Sequence, residues 1–147
     1  HGLSPGARGD SPSLLHSVCD LDSFVAWVES EYGIAKADIV VLAQSVGAVI
    51  ASTWAHDNAP SIRGLVLAAP AFKVKLYVPF ARAGLGLLHR CFGNFFVNSY
   101  VKARFLTHDV DRIASYEADP LISRPISVRI LLDLYRAAER VVADAQA

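Results

Sequence analysis

The sequence predicts an α/β fold with a parallel βαβ core, followed by a segment of mostly helical character. Three observations predict it. Residues 38–43 and 63–69 are short apolar runs, the first of them rich in β-branched residues. A helix-like stretch lies between them with short links, and after Phe72 the composition turns aromatic and basic. A chain of 147 residues with 53% hydrophobic and 19% charged content is apolar enough for one packed domain. Fourteen basic residues balance fourteen acidic ones, so no basic face marks nucleic acid as a partner.

Residues 1–12 (HGLSPGARGDSP) are turn-formers throughout and read as a loop. Ser13 then suits a helix N-cap. Behind it Leu14, Val18, Leu21, Val25, Val28 and Tyr32 recur at spacings of three and four, the stripe of an amphipathic helix, and Gly33 supplies the stop. Residues 38–43 suit a strand buried on both faces. Val46 to about His56 reads as a helix ended by DNAP, and 63–69 (RGLVLAA) as a second buried strand stopped by Pro70. The order helix, strand, helix, strand is that of a βαβ unit in a parallel sheet.

Residues 73–106 show no clear strand; they interleave aromatic residues with cations and contain no acid. Residues 108–118 read as a short helix, and 126–145 as a longer one carrying Ile126, Ile130, Leu134 and Val141 on one face. The predicted organisation is a core over 1–72, a helical cap over 73–125, and a helix over 126–147 returning to the core. The sequence contains no methionine, opens in a loop and stops inside an apparent helix, so it reads as a segment of a longer protein.

The stretch DIVVLAQSVGAVIAS (38–52) carries the chemistry. It drives an apolar strand into Gln44-Ser45-Val46-Gly47 and continues into a helix. Ligands of open α/β sheets bind outside the carboxyl ends of the strands, where Ser45 lies. A tight strand-to-helix turn needs small residues two before and two after the serine, and Ala43 and Gly47 fill those places, with Ala48 extending the small surface. Held there, Ser45 is a candidate nucleophile, and the Val46 N–H at the helix start is a candidate oxyanion donor. The competing reading is that Ser45 merely caps the helix, as serine commonly does.

With His1, Gly2, Ser4 and Gly6 upstream, and Asp20-Leu21 inside the following helix, the chain resembles the α/β-hydrolase superfamily. More narrowly, it is similar to the monoacylglycerol lipase, lysophospholipase and serine aminopeptidase-type group. The 41-residue step from Ser4 to Ser45 has the order that this group requires, and RGLVLAAPAF and the segment around Asp119-Pro120-Leu121 resemble its strand into the cap and its cap. The group usually has Gly-His before the serine and Met-Gly-Gly after it. Here Ala43-Gln44 precede and Val46-Gly47-Ala48 follow, and the change at Gln44 bears on substrate preference rather than on reaction type. The resemblance implies a partial α/β-hydrolase fold and a serine hydrolase of carboxylic esters acting through an acyl-enzyme on a small, lipid-like ester. An aminopeptidase-like or general esterase, or a non-catalytic degenerate hydrolase module, are the alternatives.

A serine needs a base, and the base needs an orienting carboxylate. His56 falls about three turns down the helix from Ser45, while His89 and His108 fall in the cap, and Asp109 beside His108 does not present its side chain as an orienting partner. The resemblance therefore places the catalytic Asp and His beyond Ala147. Tyr77, Phe80, Phe95 and Phe96 are the cap residues expected to meet substrate. The cap's apolar faces, bordered by Lys73, Lys75, Arg82, Arg90, Lys102 and Arg104, also suit peripheral contact with an anionic membrane.

Neither a cofactor nor a metal is implied. The G-x-G within AGLGLLHR follows no strand, and Arg8-Gly9-Asp10 spells an adhesion tripeptide by chance. Cys19 and Cys91 read as buried free thiols. They point to a reducing, cytoplasmic setting, and the sequence shows neither a bilayer-spanning apolar run nor a signal pattern.

Overall fold

The computed structural model describes residues 3–73, 80–98 and 101–145. Helix α1 (Leu14–Tyr32) starts where Ser13 Oγ accepts from His16 N–H at 3.2 Å and ends at Gly33, whose φ of 66° is the left-handed stop expected of it. Its buried face is Leu14, Val18 and Val25. Tyr32 departs from the predicted stripe: it is exposed and meets Trp27 edge-on at 5.3 Å.

A single 3-10 turn, Lys36–Asp38, leads into strand β1 (Val40–Gln44). Helix α2 (Val46–Asn58) crosses over to β2 (Gly64–Ala68), which pairs with β1 in parallel from Val40↔Gly64 to Gln44↔Ala68. The predicted βαβ unit is present, with boundaries shifted by one or two residues. The expectation that β1 is buried on both faces is not met. Val41 packs under α2 against the Val18, Val25 and Trp54 cluster, whereas Val40 and Leu42 are 54% and 72% exposed. Strand side chains alternate faces, and the described helices cover only one of the two.

Helix α2 is the centre of the fold. Ala48, Val49, Ala51 and Trp54 are all but inaccessible, because α1, α6 and both strands pack around them. A helix enclosed on several sides is apolar around its circumference, as GAVIAS is. Trp54 satisfies its indole N–H by donating to Asp22 Oδ1 on α1 at 2.8 Å.

Beyond the core, α3 (Ala81–Phe92), α4 (Ala103–Leu106) and α5 (Val110–Ala118) are helical, and the Asp109 carboxylate caps α5. Two strands were not foreseen: β3 (Phe96–Asn98) pairs antiparallel with β4 (Pro125–Ser127). Ile126, read as the first apolar residue of the long helix, lies in β4 instead. Helix α6 runs Val128–Asp144, capped by Ser127 Oγ. The division drawn between residues 125 and 126 thus falls inside β4. Helix α6 lays Val128, Leu131, Leu134, Tyr135, Ala138 and Val141 onto the core, and Leu134 and Ala138 meet Leu14 and Val49. Arg82 of α3 forms a bidentate pair with Glu139 of α6. Both cysteines are free but exposed, which corrects the expectation of buried thiols.

Charge ties the far ends of α2 and α6. Arg140 donates to both oxygens of Asp57 at 2.5 and 2.7 Å, and His56 Nδ1 lies 2.9 Å from the same carboxylate. Arg140, then His56, hold the Asp57 carboxyl down from 3.8 to about 2. A depressed folded-state value means stability that is present above the ordinary value and lost as pH falls through the lower one. Unfolding free energy should therefore drop more gently between pH 3.8 and about 2 in Asp57→Asn than in the parent. At neutral pH the substitution should cost under about 1 kcal/mol, because the pair is partly solvated. Urea titrations across that range test both statements.

Candidate active site

Ser45 occupies the single residue between β1 and α2. Its backbone has φ 53° and ψ −120°, a conformation that L-residues avoid, and its side chain makes no capping bond to the helix. Ser45 stands at the N-cap position without capping α2 through its side chain, and the residue is exposed at the carboxyl edge of the sheet. Three backbone hydrogen bonds hold the bend. Ser45 N–H donates to the Ala68 carbonyl at 3.1 Å, and the Ser45 carbonyl accepts from Ala48 and Ala71 N–H, each at 3.1 Å. Ala69, just past the end of β2, is also at positive φ (43°). Both strands thus end on a strained residue, and the two bends are bonded to each other.

Val46 is the first residue of α2, so its N–H has no acceptor within the helix and points out of the positive end of the helix dipole. Gln44 ends β1, exposed and opposite Ala68. Ala43 is half-buried. Gly47 is exposed, and a β-carbon built there would meet nothing outside its own helix within 4 Å among the described residues, so packing against them does not explain its smallness. Ala48 is fully buried, and there smallness is a packing requirement.

Beside the bend lies a cleft of about 470 Å³. One wall is the loop from Ser4 to Ser11, the floor is Leu14 with Val46, Gly47 and Ile50, and the other wall is Leu121, Ser123, Ile126 and Ile130. Ser45 adjoins this cleft through Val46 without lining it. Among the described residues that line it there is no histidine, and the ionisable ones are Arg8 and Asp10. His56 lies eleven residues along α2 from Ser45, about 16 Å at the rise of an α-helix. It is engaged with Asp57 and Asp144. Sequence neighbours can thus pair, as His56 and Asp57 do, whereas Asp109 next to His108 is spent on capping α5.

Of the predicted substrate-facing residues, the three that are described do not line the cleft. Phe80 stands 89% exposed, Phe96 is on β3 and exposed, Phe95 is half-buried with its carbonyl accepting from Val128 N–H, and Tyr77 lies outside the described residues. Ser4 and Gly6 do line it; His1 and Gly2 lie outside the described residues. Among the described residues no three His, Cys, Asp or Glu side chains are grouped to hold a metal. Sequence reasoning missed the Arg8–Asp10 loop as a structural element. Its signal was present, a glycine between opposite charges in a polar loop, but the partners lie more than eighty residues away in sequence.

The model of the serine aminopeptidase S33 hydrolase family matches residues 1–147. The chain belongs to this family. It is 60% identical to the uncharacterised protein YnbC of Escherichia coli (strain K12) over its full length, and spans 25% of that relative. Its fold matches a monoacylglycerol lipase from Paleococcus ferrophilus with a TM-score of 0.82 at 25% identity, covering 99% of this chain and 54% of that one. A soluble variant of the monoglyceride lipase of Saccharomyces cerevisiae, solved with a substrate analogue, matches at TM-score 0.74 and 19% identity, over 93% of this chain and 46% of that one. The fold is a partial α/β-hydrolase fold.

A non-glycine residue held at positive φ stores strain of about 1 to 3 kcal/mol. Ser45→Gly should therefore raise unfolding stability by about 1 kcal/mol, since glycine enters this conformation freely. Thermal melts of the two forms test this, and a glycine variant that melts earlier would deny the strain.

Proposed function

We propose that Ser45 is the nucleophile of a serine hydrolase that cleaves carboxylic esters of lipid-like substrates, monoacylglycerols or lysophospholipids. The observation that carries the reading is the bend itself. It presents a hydroxyl relieved of capping duty at the sheet's carboxyl edge, directly before a helix N-terminus. Ser45 Oγ attacks the ester carbonyl, the Val46 N–H donates to the oxyanion that forms, and the alcohol departs to leave an acyl group on Ser45. Water then releases the acid. The general base and its orienting carboxylate come from residues outside this chain, a reading supported by the greater length of the relatives, of which this chain spans 25% and 54%. The alternative leaving group is an amine, because fold and nucleophile do not set it.

In the natural protein that contains this segment, a fluorophosphonate should label Ser45 covalently, and Ser45→Ala should abolish the label. The isolated 147 residues should hydrolyse p-nitrophenyl esters no faster than background, as loss of triad members costs on the order of 10⁴ to 10⁶ in rate. Labelling that survives in Ser45→Ala overturns the nucleophile.

Residues 73–125 act as the cap in this reading, and the cap also supports contact with an anionic lipid surface. Phe80, Leu87, Phe92, Phe105 and Leu106 are exposed there, with Arg90, Lys102 and Arg104 solvent-facing among them. No helix among the described residues is long and apolar enough to cross a membrane. The protein should float with vesicles containing phosphatidylglycerol and release in high salt. Equal recovery with neutral vesicles would remove the electrostatic part, and no flotation would remove the membrane contact altogether.

A further inference from the structure

The Ser4–Ser11 loop is joined to the opposite wall of the cleft by three consecutive residues, each in a different way. Arg8 Nη1 donates to the Leu121 carbonyl at 2.9 Å and approaches the Pro120 carbonyl at 3.5 Å. Gly9 accepts at its carbonyl from Ser127 N–H at 2.8 Å, so the loop lies against β4. Its φ is +73°, and a β-carbon there would come 2.1 Å from the Pro125 carbonyl oxygen, so no other residue fits without displacing that strand. Asp10 accepts from Arg129 Nη2 at 2.8 Å and from Asn94 Nδ2 at 3.4 Å, and Asn94 Oδ1 in turn accepts from Arg129 N–H. Asp10 is mostly enclosed, its side chain 19% exposed. One tripeptide thereby holds the β3–β4 sheet and the start of α6.

These contacts bridge the two walls of the cleft whose floor begins at Val46, beside Ser45. Leu14, Val46, Ile50, Leu121, Ile126 and Ile130 give the cleft an apolar interior. The charged residues of the lining, Arg8 and Asp10, are engaged with the opposite wall, so the interior left between the walls is mainly apolar and suits the tail of an acyl group.

We propose that Arg8-Gly9-Asp10 is a latch that sets the width of the acyl cleft, so that these three residues determine the acyl chain length the hydrolase accepts. The assignment rests on the ester-hydrolase reading above, and adds to it a place for the acyl chain and a positioning role for residues that do no chemistry. Asp10→Asn removes the charge from the Arg129 contact while keeping its shape. Gly9→Ala forces the two walls apart through the Pro125 carbonyl.

Both variants are made in the natural-length protein, with turnover of p-nitrophenyl acetate and p-nitrophenyl palmitate followed in parallel. Binding of a long-chain fluorescent fatty acid is measured separately, since it needs no functional serine. The palmitate-to-acetate ratio of kcat/KM should change by roughly tenfold in each variant, chiefly through KM, because moving the walls alters apolar contact along a long chain by the equivalent of about two buried methylenes and leaves acetate untouched. Fatty-acid affinity should shift in the same direction, and Arg8→Lys, which keeps the charge but loses the planar fork, should fall between parent and Asp10→Asn. A ratio and an affinity unchanged in both folded variants overturn the latch, as does equal loss at both chain lengths. Should Ser45→Ala remain active, the nucleophile reading fails by itself, and the fatty-acid binding still decides the latch. If Gly9→Ala does not fold, the ratios and affinities of Asp10→Asn and Arg8→Lys decide the latch by the same criteria.

Discussion

The structure depends on how one residue is held at positive φ between β1 and α2. Left to itself, Ser45 would relax into an ordinary conformation and turn its hydroxyl onto the helix. It does not, because its own N–H is committed to Ala68 and its carbonyl to both Ala48 and Ala71. Ala48 comes from the first turn of α2, while Ala68 and Ala71 are in reach because β2 runs parallel to β1 in the register that sets Gln44 opposite Ala68. The crossover helix, the strand register and the display of the hydroxyl are therefore one arrangement, and none can shift alone.

Strain of this kind persists only where the surroundings over-determine it. Ala48 and Val49, immediately after the bend, are fully buried, and α6 closes over them with Leu134 and Ala138. The helices are then locked at their rims by polar contacts that bury little. Trp54 bonds Asp22, Leu14 N–H meets the Asp133 carboxylate at 3.3 Å, and Arg140 grips Asp57. Apolar burial supplies the bulk of the stability, while these contacts choose the registration of α1 and α6 against α2.

Local patterns were legible in the sequence because their causes are local. Ser13 and Gly33 bracket α1 by capping chemistry, the apolar runs at 40 and 64 announce strands, and the polar break at 44–45 announces the bend. What was not legible depends on distant partners. The β3–β4 pair joins residues almost thirty positions apart, and three-residue strands are too short to show alternation. The open face of β1 could not be foreseen either, since a run such as VVLA reads as doubly buried whether or not a second layer covers it. The cleft was missed for a related reason. Its walls come from residues 4–11 and 121–130, and no spacing rule connects them. The aromatic residues nominated for substrate contact were chosen by type, and type does not say which way an exposed ring faces.

The two small residues after Ser45 show how one motif can hide two causes. Sequence reasoning assigns both to the close approach of strand and helix. The structure separates them: Ala48 is enclosed on every side, whereas the space where a side chain would stand at Gly47 is open and borders the cleft. A larger residue at 48 would have to displace core atoms, and overpacking of this kind typically costs about 1 to 3 kcal/mol. A larger residue at 47 would displace nothing in the described chain and would project toward the cleft instead. Smallness at 48 is thus a condition of folding, and smallness at 47 a condition of access. The two have different physical causes even though they sit side by side.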